Sequence, residues 1–272
     1  MIYVLQNKHT NYMKKVILAL MLLAGYTAEA QQKTGIIYDN NVQKRNVGNF
    51  NAIKISNAID LYITQSNSCE VAVSASNEEA RDKIVTEVQG GTLIIRMKEE
   101  SGWNWKKWGD IKAKAYVSVK ELNALTASGA CDVRVVDKIE SQKLKIQFSG
   151  ASDFKGNLEI GTLSATMSGA SSYKGSLKAN ALFLDLSGAS DVTLNGTADD
   201  LVIELSGASE ANLFDLYTKA VKVQASGASS AEVNVAQLLK AQASGASSIE
   251  YKGNAAVKEL NSTGASSIKH KN

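Results

Sequence analysis

The sequence predicts an all-β fold: a single-stranded parallel β-helix, expected to be right-handed, preceded by a β-rich N-terminal subdomain. The first observation is a repeat. Ser-Gly-Ala begins at Ser128, Ser149, Ser168, Ser187, Ser206, Ser226 and Ser244, and an eighth copy reads Thr263-Gly264-Ala265. The glycines Gly129, Gly150, Gly169, Gly188, Gly207, Gly227, Gly245 and Gly264 are spaced by 21, 19, 19, 19, 20, 18 and 19 residues, which is the mark of a solenoid. The second observation is the alternation around each glycine. Two and four residues before it stand apolar columns such as Phe148, Leu186 and Leu205, and Ile146, Leu184 and Ile203. The column between them is polar: Thr126, Gln147, Thr166, Asp185, Glu204, Gln224, Gln242 and Asn261. A period of two is a strand with one buried face. Four residues after the glycine, Val133, Phe154, Tyr173 and Val192 begin a second inward column. Each coil is therefore strand, corner, strand.

The chain begins with a targeting pattern. Lys14-Lys15 precede an apolar run over 16–24 and the small-residue site Ala28-Glu29-Ala30, with Met13 read as the true start. This is a signal peptide over residues 1–30; its apolar run is far shorter than the roughly 20 residues of a membrane span. No other segment is apolar enough to span, so the expected location is periplasm, outer-membrane surface or the medium. Residues 31–47 are a polar leader, expected to be flexible.

Residues 48–120 form the predicted N-terminal β-rich part, before the repeats at 121–272. The segment 53–61 (IKISNAIDL) matches the repeat with Asn57 in the glycine position, and Asn is a common non-glycine occupant of left-handed backbone. Ile53, Ile55 and Leu61 then face inward. A short helix is expected over 77–83, and Gly90-Gly91 between alternating runs signals a hairpin.

The corner residues fit their place. Glycine permits a positive φ, the alanine after it suggests room inside for only a methyl group, and serines on either side suggest hydroxyl ladders that satisfy corner backbone groups. A hydroxylated ligand-binding stripe is the functional alternative. Toward the C-terminus Lys258 occupies the register held earlier by Leu144, Leu163, Leu182 and Leu201, which, with Lys269, His270 and Lys271, suggests a charged cap.

Taken together, Phe50-x-x-Ile53-x-Ile55, then the run 59–65 (IDLYITQ), then Thr86-Glu87-Val88-x-Gly90-Gly91-Thr92-Leu93-x-Ile95 and the serial corners resemble the head GIN domain of auto-transporter adhesins. The resemblance covers about 47–270. It implies an exported β-helical protein of Bacteroidetes-type bacteria and an adhesive role.

Composition and residue inventory exclude several chemistries. The 272 residues are 44% hydrophobic and 21% charged, with two Cys and two His. Without residues 1–30 the chain holds 27 basic and 26 acidic residues, so bulk nucleic acid is not an expected partner. One histidine then remains, His270, which removes Ser-His-Asp and Cys-His catalysis and multi-histidine zinc sites. Cys69 and Cys131 could pair in an oxidising compartment, though the sequence does not show that they meet.

Two candidate sites remain. Three residues past the glycine stand Asp132, Asp153, Asp191 and Glu210, and adjacent coils would stack these as pairs. Such pairs could hold Ca²⁺, act as acid and base on a polysaccharide, or simply flank a corner in solvent. Trp103, Trp105, Lys106, Lys107 and Trp108 lie between two strands and form the candidate binding element for a glycan or surface protein; the alternative is that they pack back on the scaffold. The leading expectation is a non-catalytic exported protein with no cofactor, Ca²⁺ aside, presenting a rigid binding face. A polysaccharide-active enzyme and a periplasmic structural or sensory component are the alternatives.

Overall fold

The computed structural model describes residues 41–98 and 111–272. They form a β-solenoid of parallel stacked coils, about eight turns long. The repeat region is built of long strands bent at their corners: β9 (Asp132–Phe148), β10 (Asp153–Met167), β11 (Ser172–Leu186), β12 (Asp191–Leu205), β13 (Glu210–Ala225) and β14 (Ser230–Ala243). Each pairs in parallel with the next, with Leu163 beside Leu182 and Leu182 beside Leu201. The last coils are shorter strands, β15 (Ser248–Lys252), β16 (Ala256–Ser262) and β17 (Ser267–His270).

The N-terminal part is woven into the solenoid instead of preceding it. Its strands are β1 (Gln43–Arg45), β2 (Ala52–Ile55), β3 (Ile59–Gln65), β4 (Glu70–Ser74), β5 (Ile84–Gln89), β6 (Thr92–Met97), β7 (Ala113–Val119) and β8 (Ala124–Ala127). β2 and β3 are flanked in parallel by β6 and β7 on one side and by β8 and β9 on the other. The coil that comes first in sequence is thus second in space. β4 and β5 then run antiparallel along β7 and β6. The Gly90-Gly91 turn joins β5 to β6 with φ of +54° and +76°, the paired positive values of a tight hairpin turn. Helix α1 (Glu78–Asp82) is capped by Asn77, whose side chain accepts from the Ala80 N–H. The end of the leader is not free: β1 pairs antiparallel with β4, and the Arg45 guanidinium donates to the Arg81 carbonyl at 3.0 Å.

Inward columns fill the lumen. Ile146, Leu184 and Ile203 are buried, as are Ile53, Ile55 and Leu61 in the Asn57 coil. Asn57 itself has φ +66°, the left-handed backbone its place in the repeat requires. Phe148, Phe154 and Tyr173 pack edge to face, with ring centroids 5.9 and 4.8 Å apart. Among the described residues the Tyr173 hydroxyl is buried without a hydrogen-bond partner, and burial pushes its pKa up. A buried unpaired hydroxyl is costly, so Tyr173→Phe is expected to raise stability by about 1–2 kcal/mol; an unfolding titration that shows a loss would contradict this.

Two expectations are corrected. The alanine after each glycine faces solvent, while the serine after that is the buried residue: Ala189 is exposed and Ser190 is 0% exposed. The left-handed glycine turns the chain, so strand alternation does not carry across the corner. Lys258 does not enter the lumen column either. A register shift between Leu239 and Lys240 pairs Val257 with Leu239 and Glu259 with Lys240, leaving Lys258 as the extra residue of a bulge.

Candidate functional site

The corner serines are structural. Ser152, Ser171, Ser190, Ser209, Ser229 and Ser247 are buried, and each hydroxyl donates to the carbonyl three residues back, as Ser190 Oγ does to Ser187 at 2.8 Å. Burying a hydroxyl is tolerated because this bond is made. The serines before the glycines reach the preceding coil instead, Ser226 Oγ donating to the Leu205 carbonyl at 3.1 Å. Cys131 takes the buried serine place in its coil and points at the Ser128 carbonyl, while Cys69 points at the Phe50 carbonyl. Both thiols are free, and burial pushes that of Cys131 up.

The four candidate carboxylates stand as adjacent pairs: Asp132 opposite Asp153, and Asp191 opposite Glu210. Register extends the first pair to Asp60, one residue before Leu61, which faces Val133. Burial raises the Asp60 pKa first, and the Asp132 charge adds to it, with Arg134 and Lys114 working the other way. The column is managed by its neighbours. Arg134 lies 3.5 Å from Asp132, and Ser172 Oγ donates to Asp153. Among the described residues no group of three or more such side chains could hold a metal ion.

Two grooves lie elsewhere on the coils, the first on the other side of the same Ser-Gly-Ala corner, and none of these four carboxylates lines either. The first, of about 550 Å³, runs along the outward polar column Asp185, Glu204, Gln224, Gln242 and Asn261 beside Ser206, Ser226, Ser244 and Thr263. These five side chains are in register on successive coils. Gln224 Nε2 donates to Gln242 Oε1 at 2.7 Å, and Gln242 and Asn261 both donate to Glu259 Oε1 at 2.7 and 2.8 Å. The amide ladder is therefore oriented, and the Asp185 and Glu204 carboxylates stand at its other end. Phe183, 44% exposed, lies two residues before Asp185 on the same outward face. The polar column was visible in the sequence. What the sequence hid was that a concave corner runs beside it.

The second groove, also about 550 Å³, is lined by Glu140, Glu159, Gln142, Lys178 and Asn180 among others. Lys138 bridges Glu140 and Glu159 at 2.6 and 2.8 Å, and Lys178 reaches Glu159 at 2.7 Å. Hydrogen bonds from Lys138 and then Lys178 hold the Glu159 pKa down to about 2. A depressed carboxylate stabilises the fold above its unfolded value of 4.5 and loses that contribution as pH falls toward about 2. Replacing Glu159 by Gln should therefore lower the urea midpoint near neutrality but not at pH values below about 2. Equal differences at both pH values would contradict the ion-pair ladder.

Trp103, Trp105, Lys106, Lys107 and Trp108 lie outside the described residues. The strands before and after them are β6 and β7, which pair with β2 and β3 on either side of the Asn57 corner. The Met97 N–H donates to Asn57 Oδ1 at 3.3 Å at that point.

This architecture has solved counterparts. A protein from Parabacteroides distasonis ATCC 8503 described as a putative lipid binding protein superposes with a TM-score of 0.76 at 22% identity, over 86% of this chain and 98% of its own. A putative adhesin from Parabacteroides merdae ATCC 43184 gives 0.75 at 22% identity, over 85% and 95%. A putative adhesin from Bacteroides fragilis NCTC 9343 gives 0.61 at 21%, over 85% and 96%. At such identities the likeness is one of fold. No curated protein matches the chain. Residues 49–255 match the family model described as "Putative auto-transporter adhesin, head GIN domain", and the chain belongs to that family.

Proposed function

We propose that the chain is an exported, non-catalytic adhesion module that holds an extended glycan along the first groove. The observation that carries this reading is the in-register ladder of Asp185, Glu204, Gln224, Gln242 and Asn261. Carboxylates and amides repeated at sheet spacing, about 4.8 Å, offer acceptors and donors to successive sugar hydroxyls. Five coils supply about 19 Å of such groups. Phe183 adds an exposed aromatic face near the acidic end. The rigid scaffold supports affinity, since few groups need ordering on binding.

Export is supported by the signal pattern over residues 1–30 and by the adhesin family. Among the described residues no helix is long and apolar enough to cross a membrane. A non-catalytic role is supported by the lone histidine after residue 30 and by Asp132, Asp153, Asp191 and Glu210 standing outside both grooves, while Asp185 and Glu204 in the first groove are read as binding groups. The tryptophan segment is proposed as a second contact for the same partner. Protease treatment of intact cells tests the location: the protein should be degraded without lysis, and deletion of its gene should lower attachment to a glycan-coated surface. Full protection from protease, with attachment unchanged, would favour the periplasmic structural role instead.

A further inference from the structure

The two ends of the solenoid are finished differently. At the N-terminal end, the outer sides of β6 and β7 are taken by antiparallel β5 and β4. At the other end β17 pairs with β15 alone and β16 with β14 alone among the described residues, so both strands of the last coil have an open outer side. The outer edge of β16 is thus a row of unpaired backbone groups, a template for another strand. Val257 and Leu260 are 42% and 45% exposed there. One coil earlier their register partners Leu239 and Ala241 are 0% exposed. The same inward columns that form the core are left uncovered in the last coil.

What would cover them is written in the strand itself. An antiparallel copy of β16, turned about a two-fold axis between Lys258 and Glu259, sets Val257 opposite the partner's Leu260 and Lys258 opposite the partner's Glu259. Both pairings recur by symmetry. Opposite charges and apolar side chains directly across antiparallel strands are the favourable cases, and a self-complementary patch is the signature of a closed two-fold interface. Head-to-tail stacking lacks this fit, because β4 and β5 already occupy the sides of β7 and β6 that such a stack would use.

We propose that two copies of the chain associate through their last coils, β16 against β16, as a closed antiparallel pair. The pairing rests on the strand edge and its charges and not on what the groove binds, although Glu259 is also the acceptor for Gln242 and Asn261 at the groove's end. It sets two grooves on one particle, which raises avidity for a repeating surface without any new contact.

Sedimentation equilibrium of the purified protein over about 1–100 μM tests this. The wild type should form a dimer and nothing larger. Leu260→Asp should weaken dimerisation at least about tenfold, with an unchanged circular dichroism spectrum, because the side chain is already exposed in the single chain. Lys258→Glu should weaken it too, and adding Glu259→Lys to the same chain should restore it. A wild type that stays monomeric throughout, an open-ended series of oligomers, or a double charge reversal that fails to restore pairing would each overturn the proposal.

Discussion

Gly188→Ala should cost roughly 2–6 kcal/mol of stability, combining left-handed backbone strain with overpacking. The residue has φ +75°, which an L side chain adopts only with strain. A Cβ at this position would stand 2.6 Å from the Gly169 carbonyl oxygen and 2.9 Å from its nitrogen. Neither atom can step aside. They belong to the backbone, and the Ala189 N–H donates to that same carbonyl at 2.7 Å. Relief would require the two coils to separate at the corner, breaking the ladder in both directions, and solenoid stability resides in such neighbour interfaces. Against a total of about 5–15 kcal/mol for a folded domain, this is a large share. Gly48 is the control: a Cβ there meets nothing within 4 Å, so Gly48→Ala should leave the urea midpoint nearly unchanged. A Gly188→Ala protein as stable as the control would contradict the stacked-glycine corner.

Leu184→Ala should cost about 2–5 kcal/mol, toward the upper part of that range. The side chain is buried in the column that Ala165 and Ile203 continue on either side. Ala165 is already small, so it cannot swing in to fill the space, and the cavity would open between two coils that are fixed by their backbone pairing. Thermal unfolding reads the loss; a shift no larger than that of a surface variant such as Lys174→Ala would place Leu184 outside the core.

The repeat region was largely legible because each coil restates the same constraint. A glycine every 19 residues or so, apolar residues at fixed offsets, and Asn57 in a glycine's place all lead to the observed corners. The parts that were not legible are those without a period. The chain places β2 and β3 first, then makes β4 to β7, and returns to β8 on the opposite side. No local pattern records that crossover. The orientation of Ala189 against Ser190 depends on the backbone turn at Gly188, where alternation stops applying, and a one-residue error there exchanges inside for outside. The bulge at Lys258 is invisible to counting, since offset arithmetic assumes that every residue has a partner. The groove was half legible. Its polar column could be written down from the sequence, but a column becomes a site only when the coil's cross-section is known to be concave beside it.

That distinction also separates the two sets of acids. Asp132 and Asp153, stacked as expected, are answered by Arg134 and Ser172 and stand outside both grooves. Asp185 and Glu204 sit at the end of an oriented amide ladder inside one. Position in the coil, not acidity, decides which acids line a groove.

The most direct measurement is a calorimetric titration of the protein with linear neutral oligosaccharides of about four residues, long enough to follow the roughly 19 Å ladder. It should be run beside a Glu204→Ala/Gln224→Ala variant. Both substitutions are on outward positions, so the melting temperature should hardly move, while affinity should fall at least about tenfold if these groups bind the chain. Binding that is unchanged in the variant would contradict the groove as the glycan site, and an absence of binding to every such oligosaccharide by the wild type would contradict the adhesion reading itself.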